Sequence, residues 1–156
     1  MPEIKIVELD PMRAAYFRSP KGYDPEGVQS AFRRLGEHLG KNPPTGETLV
    51  LGLSWDDPQT VPPDKCRYDA AFTFSGDAPA GVDGVHELSK GTFVHYHYVG
   101  PYDGMGKAFE DAHRQLQALG GYRMRDAACV EVYRNDPANT PPEELITDIY
   151  LPVEKV

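Results

Sequence analysis

Apolar and polar residues alternate with period two in eight short stretches and recur every three to four positions in two longer ones. IKIVEL and residues 14–17 read as strands joined at Asp10-Pro11, and TLVLGLSW and RYDAAFTF as two more strands. The same order returns with GVHEL and TFVHYHYV, joined at Ser89-Lys90-Gly91, followed by AACVEVY and LITDIYLPV. Between the strand pairs, Val28, Ala31, Phe32, Leu35 and Leu39 mark one apolar helix face. Met105, Ala108, Phe109, Ala112, Leu116 and Leu119 mark the other. Asp24-Pro25 and Asp103 are expected at the helix starts, where a short acceptor caps free amides. Gly40 and Gly120-Gly121 are expected as stops.

The recurrence extends to identities. Shifting the sequence by 79 positions places Glu8-Leu9 on Glu87-Leu88, Tyr23-Asp24 on Tyr102-Asp103 and Gly27 on Gly106. Asp57-Pro58 falls on Asp136-Pro137, Pro62-Pro63 on Pro141-Pro142, and Asp69 on Asp148. The two helices are out of step by two residues, because Phe32 matches Phe109 best. The predicted fold is therefore α+β: duplicated strand-helix-strand-strand modules with about eight strands and two main helices. Residues 1–156 form a single domain built from repeats 1–78 and 79–156, pseudo-twofold, with a central groove.

Charge narrows the partners. With 16 Lys and Arg against 24 Asp and Glu, the net charge is -8, and the basic residues are scattered singly. Direct nucleic-acid binding needs a basic cluster that releases counterions, and an anionic membrane surface needs the same, so neither is expected. The opening MPEIKIVELDPMRAAYF carries acids and Pro11 where a secretory signal needs an unbroken apolar core. A cytoplasmic protein is expected. Two cysteines, Cys66 and Cys129, leave a single disulfide open but give no disulfide scaffold.

Candidate chemistry centres on Glu131. Alternation puts Ala128, Val130 and Val132 on one strand face and Cys129, Glu131 and Tyr133 on the other. The equivalent position in the first repeat is Gly52, so one copy offers a carboxylate where the other offers no side chain. That is what a one-sided pocket needs. Nine Tyr, six Phe and one Trp can line it, and Tyr96, Tyr102, Trp55, Phe17 and Tyr68 lie on or beside strands. His95 and His97 form an H-x-H pair that zinc could use, but no third ligand follows at metal-site spacing. His86 is the nearest other histidine. The reading assigns His95 to the groove wall and expects no metal and no cofactor. Asp57 and Asp136, each before a proline, read as turn-holding acids rather than a catalytic pair. G-x-S-x-G, a phosphate-cradling glycine loop and H-E-x-x-H do not occur.

LSKGTFVHYHYVGPYDGMGKAF, VEVYRNDPANTPPEELITDIYLPV and WDDPQTVPPDKCRYDAAFTF together give a resemblance that spans essentially the whole chain. They resemble the GyrI-like small-molecule-binding domains, also found as effector domains of AraC-family and MerR-family multidrug regulators. The resemblance implies a groove that takes hydrophobic, often cationic, compounds. It places Glu131 and Tyr133 of the Glu-x-Tyr motif at that groove, and makes Gly100 and Tyr102 the family's Gly-x-Tyr. The chain departs from the regulators in being too short and acidic to include a helix-turn-helix module. The expected function is small-molecule binding in sensing or sequestration, with a small organic molecule as partner. The alternatives are a hydrolase of strained or electrophilic compounds using Glu131 with Tyr133, and a gyrase-interacting inhibitor. Protein partners under these readings are gyrase or a regulator, and oligomeric state is not legible.

Overall fold

The structure, a computed structural model, describes residues 2–156 and contains nine strands and two long helices. In chain order these are β1 (Lys5–Leu9), β2 (Met12–Arg18), α1 (Pro25–Lys41), β3 (Val50–Ser54), β4 (Tyr68–Thr73) and β5 (Gly84–Leu88). Then come β6 (Gly91–Val99), α2 (Met105–Leu119), β7 (Tyr122–Met124), β8 (Cys129–Tyr133) and β9 (Ile146–Lys155). The spacing of 79 survives folding: β3 and β8 coincide under it, as do the 3-10 turns Pro63–Lys65 and Pro142–Glu144. β7 is the strand that the sequence pattern missed. Its three residues pair with the end of β9 and have no strand counterpart in the first repeat.

The compact units do not follow the repeat boundary. One comprises Pro11–Ser89; the other joins the residues up to Asp10 to Lys90–Val156. The cause is an exchange of first strands: β1 pairs antiparallel with β6, and β5 with β2. Asp10-Pro11 and Ser89-Lys90 therefore carry the chain from one unit to the other. Within the first-named unit the ladder runs β5-β2-β4-β3; within the other it runs β1-β6-β9-β8, with β7 also on β9.

Each unit packs one helix on one sheet face. Ala31 and Leu35 of α1 bury against Ala15, Phe17, Ala70 and Phe72. Ala108, Ala112 and Leu116, one turn apart on α2, bury against Val94, Tyr96, Ile149, Leu151 and Val153. Alanine at the crossing lets helix and sheet approach closely, and each fully buried Leu or Ile contributes about 1.5–3 kcal/mol.

The helix ends differ from expectation in two places. Asp24 caps α1 as predicted, accepting from the Glu26 amide at 3.0 Å with Pro25 in the first turn. Gly40, however, lies inside α1, which runs to Lys41 and ends with the Asn42 amide bonded to the His38 carbonyl. Asp103 does not cap α2. It sits in the 3-10 turn Tyr102–Gly104, and Gly104 precedes the helix without a side-chain cap. Gly120 ends α2 at φ 70°, as expected. Asp57 and Asp136 hold their turns by accepting the amides of Gln59 and Ala138, each at 2.8 Å. Both cysteines are free thiols. Among the described residues no helix is long and apolar enough to cross a membrane.

Candidate functional site

The pairing of β8 with β9 sets Glu131 opposite Ile149 and Tyr133 opposite Thr147. Opposed residues share a face, and Ile149 packs in the core beneath α2. Glu131 and Tyr133 therefore lie on the α2 face of their sheet, as does Cys129 by alternation, while Val130 and Val132 point the other way. Glu131 is only 6% exposed. The Tyr133 hydroxyl donates to its Oε2 at 2.6 Å, and the Tyr102 ring meets Tyr133 edge-on at 5.5 Å. Burial pushes the Cys129 thiol up to about 12, and the Glu131 charge adds to the shift. Burial likewise raises Tyr102, with help from Asp136.

Gly100 explains how Tyr102 gets there. Its φ of 151° lies in the range that side chains avoid, and a Cβ would come within 2.8 Å of the Tyr98 hydroxyl. Its amide donates to the Leu145 carbonyl at 2.8 Å, which carries the β6–β9 pairing one residue past Val99 before the chain enters the turn that holds Tyr102. Thr147 lies between Tyr98 and Tyr133 in the ladder. Its hydroxyl is buried and has no hydrogen-bond partner among the described residues.

The other predicted residues do not join this group as one cluster. Tyr96 shares the α2 face, but Ile149 separates it from Glu131. Its hydroxyl donates to Asp111 of α2 at 2.8 Å, and burial together with that bond raises its pKa to about 12. His95 is on the opposite face of β6, stacked on Tyr150 at 4.8 Å. Phe17, Tyr68 and Trp55 belong to the other unit. Phe17 fills the core under α1, Tyr68 packs edge-on to Tyr23 at 6.3 Å, and the Trp55 indole donates to Asp69 at 2.9 Å.

Sequence reasoning missed two buried acids on the sheet faces away from the helices. Asp69, 0% exposed, accepts from Arg18, Trp55 and His86 at 2.8–3.0 Å. Asp148 contacts His95 at 2.9 Å and His97 at 2.6 Å through Oδ1, and Arg134 at 2.7 Å through Oδ2. His86 is thus tied to Asp69 and is not the neighbour of His95 and His97; Asp148 is, because β9 sets it opposite His97. The signal was present: an acid repeated at the spacing of 79 within runs that otherwise read as buried strands. An acid 51 residues from His97 is invisible to spacing rules that look along one segment.

Known proteins place the fold. A protein of Yersinia enterocolitica serotype O:8 named DNA gyrase inhibitor is 29% identical over 156 residues, with 97% of each chain covered. The C-terminal domain of EcmrR superposes with a TM-score of 0.80 at 18% identity, covering 100% of this chain and 99% of that one. SAV2435, solved bound to tetraphenylphosphonium, gives 0.65 at 18% identity, covering 97% and 94%. The profile of the GyrI-like small molecule binding domain matches residues 2–154. The chain belongs to that family.

Proposed function

We propose that the chain binds hydrophobic organic cations through Glu131 and acts in sensing or sequestering them. The observation that carries this reading is the Glu131 carboxylate, nearly excluded from water and bonded to the Tyr133 hydroxyl, whose ring meets Tyr102 edge-on. A carboxylate in a water-poor site attracts a cation more strongly than one in bulk water. A lipophilic cation supplies the opposite charge together with apolar surface, and aromatic faces favour cations further. The orphaned Thr147 hydroxyl offers a polar contact in the adjacent ladder row. The tetraphenylphosphonium bound to SAV2435 names a suitable probe.

Calorimetry with tetraphenylphosphonium on the wild type and Glu131→Gln tests this. A lost charge-assisted contact worth about 1.5–3 kcal/mol weakens binding roughly 10–100-fold. Equal affinity in the two proteins would remove Glu131 from the account.

One geometric observation favours a second reading, hydrolysis: the 2.6 Å bond from Tyr133 to Glu131 is short enough for proton transfer between them. It requires turnover of an electrophilic ligand that stops in Glu131→Gln, and an unchanged ligand after prolonged incubation rules it out.

A further inference from the structure

On the face of β6 and β9 away from α2, three ligand atoms converge. His95 Nε2 and His97 Nδ1 point at the same oxygen, Asp148 Oδ1, and all three atoms lie within 4.8 Å of one another. We propose that His95, His97 and Asp148 form a binding site for a borderline divalent transition metal, with Zn2+ the reference ion, leaving a fourth coordination position for water.

The strands build this arrangement without help from loops. Residues two apart on β6 project from one face, and the register sets Asp148 directly opposite His97 and Tyr150 opposite His95. Zinc bonds of 2.0–2.1 Å arranged tetrahedrally put ligand atoms about 3.3 Å apart. To admit the ion, the nitrogen–oxygen separations of 2.9 and 2.6 Å must open by about 0.4 and about 0.7 Å. The two imidazole nitrogens, up to 4.8 Å apart, must close by as much as about 1.5 Å, a change within reach of side-chain rotation. Three protein ligands plus a water is the pattern of an open, exchangeable site rather than a closed structural one.

The surroundings orient the ligands. His95 is stacked on Tyr150 with the rings 16° from parallel. Arg134 holds the second oxygen of Asp148, leaving Oδ1 to the imidazoles. Partners of this kind fix ligand orientation in metal sites. Bonds from His95, His97 and Arg134 hold the Asp148 carboxylate in place. Two imidazoles and one carboxylate favour zinc, copper or nickel over magnesium or calcium. Arg134 and Lys5, the latter opposite His95 on β1, oppose a cation and hold the affinity down. The ion has a path in, because the His97 side chain is 53% exposed.

The other unit shows that this set is not a by-product of the fold. Its equivalent acid, Asp69, faces Arg18 where Asp148 faces His97, and Trp55 where Asp148 faces Arg134. Neither Arg nor Trp ligates a metal. Asp69 keeps one imidazole neighbour, His86, where Asp148 has two, so among the described residues a set of three ligating groups gathers in one unit alone.

The test is titration of the wild type with zinc chloride by calorimetry, and with cobalt by visible absorption. The variants are His97→Ala and His95→Phe; Phe keeps the stack on Tyr150, and thermal melts check folding. The wild type should bind one metal per chain and release protons, so affinity falls as pH drops. Each variant should lose at least the roughly 10–100-fold that removal of an outer-shell partner costs. Wild-type affinity equal to that of either folded variant, or no saturable binding by the wild type, overturns the proposal.

Discussion

The two units carry the same ladder and fill it differently. Beneath α1 one row reads Ser19, Tyr68, Ser54, with a single large ring at the centre. The equivalent row beneath α2 reads Tyr98, Thr147, Tyr133, with the rings moved to the flanks. The next row is Phe17, Ala70, Gly52 in one unit and Tyr96, Ile149, Glu131 in the other. The second row keeps its ring on the same flank, Phe17 or Tyr96, while in the first row one central ring gives way to two flanking ones. The centre of the second arrangement is left with a small hydroxyl residue beside a carboxylate. The lesson is that a duplicated scaffold separates its duties by where it puts volume: one copy packs, the other presents polar groups.

The sharpest contrast is between the two buried acids. Asp69→Asn should cost about 1–3 kcal/mol in urea denaturation, since it leaves Arg18, His86 and Trp55 with a weaker acceptor at a fully buried position. Asp148→Asn should cost less, because the Asp148 side chain is 9% exposed against 0% for Asp69 and its partner His97 53% against 21% for His86, while Arg134 and Arg18 are alike. Equal losses would erase the distinction. Importing the central ring of one unit into the other is the next test. Thr147→Tyr must fit a third tyrosine between Tyr98 and Tyr133, costing as much as about 3 kcal/mol and abolishing ligand binding. A variant that melts like the wild type and still binds tetraphenylphosphonium would show that the row is not filled as described.

Acid should also act unevenly. The Asp148 pKa is about 2 in the folded chain and about 3.9 in an unfolded one. Its contribution, on the order of 2 kcal/mol, is therefore present above about pH 4 and lost as pH falls through about 2. In Asp148→Asn the urea midpoint should change less steeply across that window; an unchanged slope refutes the assignment. The smallest effect concerns the helix starts. Asp24→Ala should cost about 1 kcal/mol, whereas Asp103→Ala should stay within about 0.5 kcal/mol because Asp103 caps nothing.

Periodicity located both helices because their burial is one-sided; the strands showed as short apolar runs between turn signals, although β3, β4, β8 and β9 are buried on both faces, and the repeat gave their order. It could not reveal that β1 pairs with β6, since antiparallel partners 82 residues apart leave no local mark. β7 escaped because three residues are too few to show a period. Gly40 misled because a glycine near a helix end is a stop only when the following chain needs a left-handed turn, and Asn42 closes α1 instead. At the site, alternation placed Glu131 and Tyr133 together correctly. Identifying Thr147 and Asp148 required the register of β9, where the choice of face follows from pairing rather than from residue type.

The exchange of β1 and β5 imposes a timetable on synthesis. The unit of Pro11–Ser89 has all its strands once Ser89 has emerged. β1, made before every strand of that unit, finds its partner only when β6 follows. At ribosomal rates of about 5–20 residues per second, that leaves the strand idle for roughly 4–16 s. For that interval the nascent chain carries an unpaired edge, and a second chain on the same message offers the same β6. Exchange of β1 between neighbouring chains is the misassembly to which this topology is most open.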